Sequence, residues 1–287
     1  VDQAIENDMR TLKSIFSVTK LLPQVPHFDH LLLEIKDMLT QELDYKKEMQ
    51  FTIKYRKALA HDQRYVVPNV LTEFSTHRVL TSEFVEGFTI DSPEVQALSL
   101  ERRNRLGLAA LELYLMELFV WGFVQTDPHL GNYRVKIDPN GEDDRLVLFD
   151  FGALREFSPE FCSNYQQLVH ASINKDMAQL KLAAIRLGFS EKNDPQSLDQ
   201  LFADFCFQIV EPFEGSYNYA QSDLPKRMTM KVGALIKGFK LRAPPREIVF
   251  LDRKTGGVFI FLKVLGCEFN ARPLLERYLS GKNQTAE

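Results

Sequence analysis

The chain has 287 residues, of which 45% are hydrophobic and 26% charged, a composition typical of ordinary globular proteins that excludes fibrous and disordered classes. Its 35 basic and 39 acidic side chains give a net charge of −4, so we expect no nucleic-acid partner. The three cysteines are unevenly spaced and form no C-x-x-C pair, which argues against a disulfide framework and a zinc site and favours a reducing compartment.

The N-terminal segment VDQAIENDMR has a helical pattern and lacks the charged and apolar regions of a signal peptide. Because the first residue is Val1 and a helical pattern begins at once, we expect this chain to be a fragment of a longer protein. Apolar residues at helical spacing predict one helix over residues 4–21 and a longer one over residues 29–60.

The longer predicted helix contains the acidic stretch QELDYKKEMQ. Asp44 and Glu48 are one helical turn apart and lie on nearly the same face, whereas Glu42 points to another side. Taken alone, this spacing favours a solvated helix face on which the acids pair with Lys46 and Lys47.

Two strand-like runs follow, LTEF at residues 71–74 and HRVLTSEFV at residues 77–85. The next long helix is predicted over residues 100–122. Its apolar stretch is long enough to suggest a membrane span, but Glu112 and Glu117 make insertion costly, so we expect a buried core helix.

Beyond Phe157 the pattern is helical almost throughout. The predicted helices cover residues 160–174, 176–187, 197–210, 226–241 and 247–265. The last of them contains Arg253-Lys254-Thr255-Gly256-Gly257, which suggests either an anion-binding nest or, more in keeping with the apolar run that follows, close helix packing.

The stretch from Gln125 to Arg155 carries the chemistry. Asp127 is followed five residues later by Asn132, and a strand-like run RLVLF then leads to Asp150-Phe151-Gly152. Kinase-like sites present a catalytic aspartate, a metal-binding asparagine and a metal-binding aspartate in this order, and we expect Gly152 to allow a sharp turn behind the metal. The alternative is that these side chains only cap turns and a helix.

The flanking residues depart from those of ordinary protein kinases. Gln125-Thr126 stands before the aspartate in place of His-Arg, and His129 occupies the position of a lysine. With these residues, QTDPHLGN followed by FDFGALREF resembles the UbiB-type atypical kinase-like family, whose members support ubiquinone biosynthesis. The resemblance extends from the acidic helix to the C-terminal helices.

The resemblance implies an α+β, bilobal, protein-kinase-like fold with a mostly helical large lobe and an N-terminally truncated small lobe. The small lobe is expected over residues 1–86 and the large lobe over residues 87–287, with the crossing at Glu86-Gly87. It also implies that ATP and Mg²⁺ are the cofactors.

Site residues follow from the resemblance position by position. Asp127 would orient the nucleophile, and Asn132 and Asp150 would bind the metal. Glu48 would pair with the nucleotide-binding lysine, and Glu42 and Asp44 would form the E-x-D motif that faces the N-terminal extension over the active site. Adenine would contact the carbonyl of Glu83 and the amide of Val85, and His129 would lie at the nucleotide.

The expected activity is slow Mg-ATP hydrolysis in support of ubiquinone biosynthesis, with little activity in this chain alone because the lysine lies upstream. Expected partners are a lipid or quinone-precursor ligand and quinone-biosynthesis proteins. The expected location is the cytoplasm in a bacterium, with peripheral membrane association as an option, or the mitochondrial matrix side in a eukaryote. The alternative is a non-catalytic nucleotide-binding scaffold; Thr126 and the short segment after Gly152 disfavour a conventional protein kinase.

Overall fold

The computed structural model describes residues 44–238 and 245–280. The chain forms two compact units that alternate along the sequence. The first unit holds the described residues up to His61, then Val67–Val85 and Phe149–Ala153; the second holds Asp62–Val66, Glu86–Leu148 and the described residues from Leu154 onward.

The main helix of the first unit is α1 (Tyr45–Ala58), which buries Thr52 and Tyr55. Asp44 lies outside it as its N-cap, and the Asp44 carboxylate accepts the backbone N–H of Lys47 at 3.2 Å. The prediction of one uninterrupted helix through residue 44 is therefore wrong. The Asp44 side chain accepts a backbone N–H at the helix end, whereas in a continuing helix that N–H would bond to a backbone carbonyl.

The two strand-like runs of the first unit do not form strands. Thr72–Phe74 is a 3-10 turn, and a single bridge joins Val70 to Ser82. The hydroxyl of Ser75 donates to the carbonyl of Leu71 at 2.8 Å and accepts the N–H of Thr81 at 3.0 Å, so a side chain takes bonds that a strand ladder would use.

The second unit contains short strands. In chain order they are β1 (Tyr65–Val66), β2 (Phe123–Gln125), β3 (Tyr133–Lys136), β4 (Arg145–Leu148), β5 (Leu154–Glu156), β6 (Tyr217–Asn218) and β7 (Glu268–Phe269). Strand β4 is central in the sheet β1-β4-β3, parallel to β1 and antiparallel to β3, while β2 pairs with β5 and β6 with β7. The predicted strand in RLVLF is confirmed as β4, which buries Leu146, Val147 and Leu148.

The helices predicted between residues 100 and 265 agree with the structure to within a few residues where it describes them, whereas the last helix of the second unit was not predicted. The helices of the second unit are α2 (Pro93–Gln96), α3 (Leu100–Met116), α4 (Pro159–Ile173), α5 (Met177–Arg186), α6 (Gln196–Ile209), α7 (Leu224–Gly238), α8 (Arg246–Val264) and α9 (Arg272–Leu279). Several begin at strong caps: Ser158 precedes Pro159 in α4, and the Asp176 carboxylate accepts two backbone N–H groups at the start of α5.

Helices α4, α5 and α6 enclose an apolar core. Leu168, Leu180 and Phe202 fill it, and the alanines of α4 to α6 allow the helices to approach closely. This core supplies hydrophobic burial that stabilises the helical part of the fold.

Helix α3 is continued by a π-helical turn, Glu117–Trp121, and ends at Gly122 in the left-handed region, with φ of 65°. The predicted buried core helix is confirmed: Glu112 and Glu117 are both buried. Glu112 is held by Arg64, Arg277 and the hydroxyl of Tyr278. In residues 44–238 and 245–280, none of the helices is both long enough and apolar enough for a membrane crossing.

Candidate active site

The loop between β2 and β3 brings two of the predicted residues into direct contact. The side-chain amide of Asn132 donates to Asp127 Oδ2 at 2.9 Å. The loop is also tied to itself, because the Asp127 N–H donates to the Gln125 side chain at 2.8 Å and the Asn132 N–H donates to the His129 carbonyl at 3.0 Å. A spacing of five residues thus closes a compact loop that presents a carboxylate and an amide together.

A residue that sequence reasoning missed completes the surroundings of Asp127. Arg253, on helix α8, places its guanidinium 2.8 Å from Asp127 Oδ1. Each carboxylate oxygen of Asp127 therefore has a donor, one cationic and one neutral. The only sequence signal was the RKTGG segment, 126 positions along the chain, which does not reveal this contact by spacing.

The RKTGG segment lies inside helix α8, so its backbone does not form an anion-binding nest. Close packing, the other interpretation, is confirmed at Gly257: a Cβ atom there would lie 1.8 Å from the Cβ of Pro128. At Gly256 an added Cβ would meet no atom within 4 Å. Helix α8 therefore packs directly on the loop that holds Asp127, and Gly257 is the residue that permits this approach.

His129 is exposed and caps the 3-10 turn Leu130–Asn132. Its Nδ1 accepts the N–H of Gly131 at 3.0 Å, so this nitrogen carries no proton in that arrangement and Nε2 is the ring atom left for a ligand. The side chain thus shapes the loop; a contact with nucleotide stays a prediction.

In the first unit, Asp150 follows the end of β4 and has a positive φ of 58°, which is uncommon for a residue with a side chain. The Gly152 N–H donates to Asp150 Oδ1 at 3.1 Å. The sharp turn expected at Gly152 is therefore made by Asp150, whose side chain stabilises it locally. Phe151 is buried against Tyr55 of α1, with ring centroids 4.6 Å apart.

Glu48 of α1 lies beside this turn. An added Cβ on Gly152 would be 3.4 Å from Asp150 Oδ1 and 3.7 Å from Glu48 Oε2, so both carboxylates border the same glycine. Burial of the carboxyl group and the negative charge of Asp150 raise the pKa of Glu48 to about 7. Two carboxylates in this arrangement favour a cation between or beside them.

Each of these side chains taken by itself offers the kind of ligand that Mg²⁺ accepts, because Mg²⁺ binds carboxylate and amide oxygens and keeps phosphate and water among its ligands. Within residues 44–238 and 245–280, His, Cys, Asp and Glu side chains form no group of three or more that could hold a metal alone.

The remaining predicted site residues have these positions. Glu42 lies outside the described residues, and Asp44 is exposed at the start of α1. At the expected hinge, the Glu83 N–H donates to the Asn69 carbonyl at 2.8 Å, and the Asn69 side chain accepts from Arg56 at 3.0 Å. This fixes the backbone before Val85; adenine binding by Glu83 and Val85 stays a prediction.

Residues 1–184 match the family described as the ABC1 atypical kinase-like domain. The fold and the loop that carries Asp127 and Asn132 together define a kinase-like protein. The chain belongs to the ABC1 atypical kinase-like family, and the resemblance to the UbiB-type proteins is confirmed.

Curated relatives include the mitochondrial atypical kinase COQ8B of Danio rerio, 29% identical over 290 residues that cover 100% of this chain and 45% of the relative. The mitochondrial atypical kinase COQ8 of Saccharomyces cerevisiae is 26% identical over 98% of this chain and 56% of its own length. Probable serine/threonine-protein kinase abkA of Dictyostelium discoideum is 26% identical, with 97% and 52% covered. The chain spans about half the length of these relatives.

Among solved structures, the complex of Rv3197 with erythromycin from Mycobacterium tuberculosis superposes with a TM-score of 0.70. The two sequences are 23% identical, and the match covers 100% of this chain and 70% of the other. Together with family membership, this likeness confirms the expected α+β kinase-like fold.

Proposed function

We propose that the protein binds Mg-ATP and hydrolyses it slowly, in support of ubiquinone biosynthesis rather than protein phosphorylation. The observation that carries this proposal is the 2.9 Å hydrogen bond from Asn132 to Asp127 in a kinase-like fold. The Asn132 amide also donates to the Asp127 carbonyl at 3.4 Å, as a turn cap would, but its shorter bond joins the two predicted functional side chains to each other.

In the proposed reaction, Asp127 orients the attacking oxygen. Asn132 and Asp150 would hold Mg²⁺, which when bound would neutralise charge on the transferred phosphoryl group. Glu48 pairs with the nucleotide-binding lysine; burial and the charge of Asp150 raise its pKa to about 7, and a cation beside it would stabilise the ionised form.

Arg253 supplies a cation at the catalytic aspartate. Ordinary protein kinases carry a lysine two residues after that aspartate, at the position held here by His129. The guanidinium 2.8 Å from Asp127 comes instead from helix α8, and it is always charged. Its position orients the carboxylate and places positive charge near developing negative charge.

The other assignments belong to the same proposal. Glu42 and Asp44 form the E-x-D motif toward the N-terminal extension, Glu83 and Val85 receive adenine through backbone groups, and His129 lies at the nucleotide. The names of the mitochondrial COQ8 relatives support the biosynthetic role. The proposal also includes a lipid or quinone-precursor ligand and quinone-biosynthesis proteins as partners. It further includes peripheral association of the protein with a membrane.

The test is Asp150→Asn in the full-length protein, with Mg-dependent nucleotide binding measured by displacement of a fluorescent ATP analogue. We expect binding to lose its Mg²⁺ dependence because a metal ligand becomes neutral. Asp143→Asn, which changes an exposed aspartate of the β3–β4 connection, is the matched control. Unchanged Mg-dependent binding in Asp150→Asn contradicts the assignment.

The Asp127–Arg253 ion pair also favours a second candidate, a nucleotide-binding scaffold without turnover. Each Asp127 oxygen accepts one donor, and this second candidate supposes that these contacts serve only to hold the loop. Phosphate release distinguishes the two: ATP binding with no release, and with no stimulation by lipid or quinone precursors, supports the scaffold. Incorporation of phosphate into protein would instead support a protein kinase.

A further inference from the structure

A buried ion pair connects helix α8 to the end of helix α3. Lys254 is 2% exposed and Glu117 is 0% exposed, and the Lys254 ammonium lies 3.1 Å from Glu117 Oε2. Burial alone would lower the pKa of Lys254, but the Glu117 carboxylate and the Tyr133 hydroxyl raise it above its usual value. The surroundings of the Lys254 ammonium therefore favour its charged form inside the second unit.

The pair contacts both ends of the loop that carries Asp127 and Asn132. Glu117 Oε1 accepts the backbone N–H of Gln125, where the loop begins, at 3.0 Å. The Lys254 ammonium also donates to the hydroxyl of Tyr133, directly after Asn132, at 3.4 Å. One ammonium thus links the start and the end of the loop through two side chains.

Glu117 lies where the backbone changes from the α-helix to a π-helical turn. Glu117 begins the π-helical turn that ends α3, and such turns are rare and often found at functional sites. A buried ion pair is by itself weak support for stability, because apolar residues of similar volume often replace one without loss. Its connection to both loop ends therefore indicates a role beyond filling the core.

We infer that Lys254 is a positioning residue that, with Glu117, clamps the loop 125–133 and so sets the placement of Asp127 and Asn132 for phosphoryl chemistry. The kinetic part of this inference rests on the proposed function, whereas the clamp itself is a property of the loop.

Lys254→Met in the full-length protein removes the charge and keeps most of the volume. Hydrogen–deuterium exchange of the peptide covering residues 125–133 tests the clamp without any nucleotide. We expect exchange there to become about tenfold faster, because the loop loses one of its ties. The control is Lys263→Met on the same helix, whose ammonium donates to the Ser222 carbonyl at 2.8 Å; it should leave this peptide unchanged.

The double variant Lys254→Met/Glu117→Gln separates the positioning of the loop from the stability of the core. It removes both buried charges, but the amide oxygen introduced by Glu117→Gln can still accept the Gln125 N–H. We expect its Tm to recover toward that of the parent while kcat stays lower on the order of 100-fold and KM for Mg-ATP changes less than about threefold. This variant carries the test if Lys254→Met alone folds poorly.

Unchanged exchange at 125–133, or recovery of both Tm and kcat in the double variant, overturns the inference. A parent protein that binds no Mg-ATP, together with faster exchange in Lys254→Met, refutes the proposed function and leaves the clamp standing.

Discussion

The two aspartates assigned to the reaction stand in opposite electrostatic surroundings. Around Asp127, in the second unit, a guanidinium and an amide each donate to one carboxylate oxygen. Around Asp150, in the first unit, a second carboxylate lies nearby, and its pKa is raised to about 7 by burial and by the charge of Asp150. Asp127, which we propose to be the catalytic carboxylate, is thus held in place by donors in the chain itself, whereas Asp150, which we propose to bind the metal, lies in a region that a cation would stabilise.

The largest expected effect comes from removing the charge of Asp127. Asp127→Asn in the full-length protein should lower kcat for phosphate release on the order of 100-fold or more, because the nucleophile loses its orienting carboxylate. Mg-ATP affinity, measured by isothermal titration calorimetry, should change little if metal binding depends on Asn132 and Asp150. A kcat close to that of the parent would show that Asp127 does not have the catalytic role that separates it from Asp150.

The packing that supports the Asp127 loop is tested by a pair of neighbouring glycines. Gly257→Ala should lower the free energy of unfolding by about 2–3 kcal/mol, because its Cβ would overlap Pro128. Gly256→Ala meets no atom within 4 Å and should stabilise helix α8 by about 0.5–1 kcal/mol. Urea unfolding of the two variants measures the difference; equal effects would show that α8 does not press on the loop.

The cation at Asp127 is tested by Arg253→Gln, which should lower kcat about tenfold. Arg253→Lys should recover part of the loss, because the charge returns without the planar fork of donors. Arg105→Gln is the matched control, since Arg105 pairs with Glu101 at similar exposure on α3. If both glutamine variants behave alike in steady-state phosphate release, Arg253 has no special part in the chemistry.

The smallest effect concerns the other region and depends on pH. The folded-state pKa of Glu48, about 7, exceeds the ordinary value of 4.5, so ionisation of Glu48 weakens the fold as pH rises between these values. In the chain of residues 1–287, Glu48→Gln should raise the free energy of unfolding by about 1 kcal/mol at pH 8 and leave it unchanged near pH 4.5.

Urea unfolding at both pH values gives the comparison, with the exposed Glu73→Gln as control. A gain at pH 4.5 as large as that at pH 8 would show that the carboxylates of Glu48 and Asp150 do not oppose each other.

The sequence was most informative where function depends on residues close together along the chain. Asp127 and Asn132 are five positions apart, and one compact loop joins them. Arg253 is 126 positions from Asp127 and could not be found this way, because no local pattern encodes a contact between a loop and a distant helix.

Errors in local structure came from polar side chains that compete with backbone hydrogen bonds. Asp44 caps the start of a helix at a position where the apolar periodicity predicted that one helix would continue. The Ser75 hydroxyl hydrogen-bonds to backbone groups in the region where two strands were predicted. At Asp150 the turn is made by the functional residue rather than by the glycine that follows. Periodicity records apolar burial, so it does not register these bonds.

The two-residue strand β1 has a practical consequence for anyone who wishes to produce the helical part alone. Its Tyr65 side chain is buried and donates to the Ala109 carbonyl at 2.8 Å, and the strand covers one edge of β4. A polypeptide that starts at residue 87 would omit β1 and leave β4 as an open edge with Leu146 and Val147 uncovered. Such edges recruit other chains, so a preparation cut there should aggregate, whereas one that retains residues 62–66 keeps the edge paired.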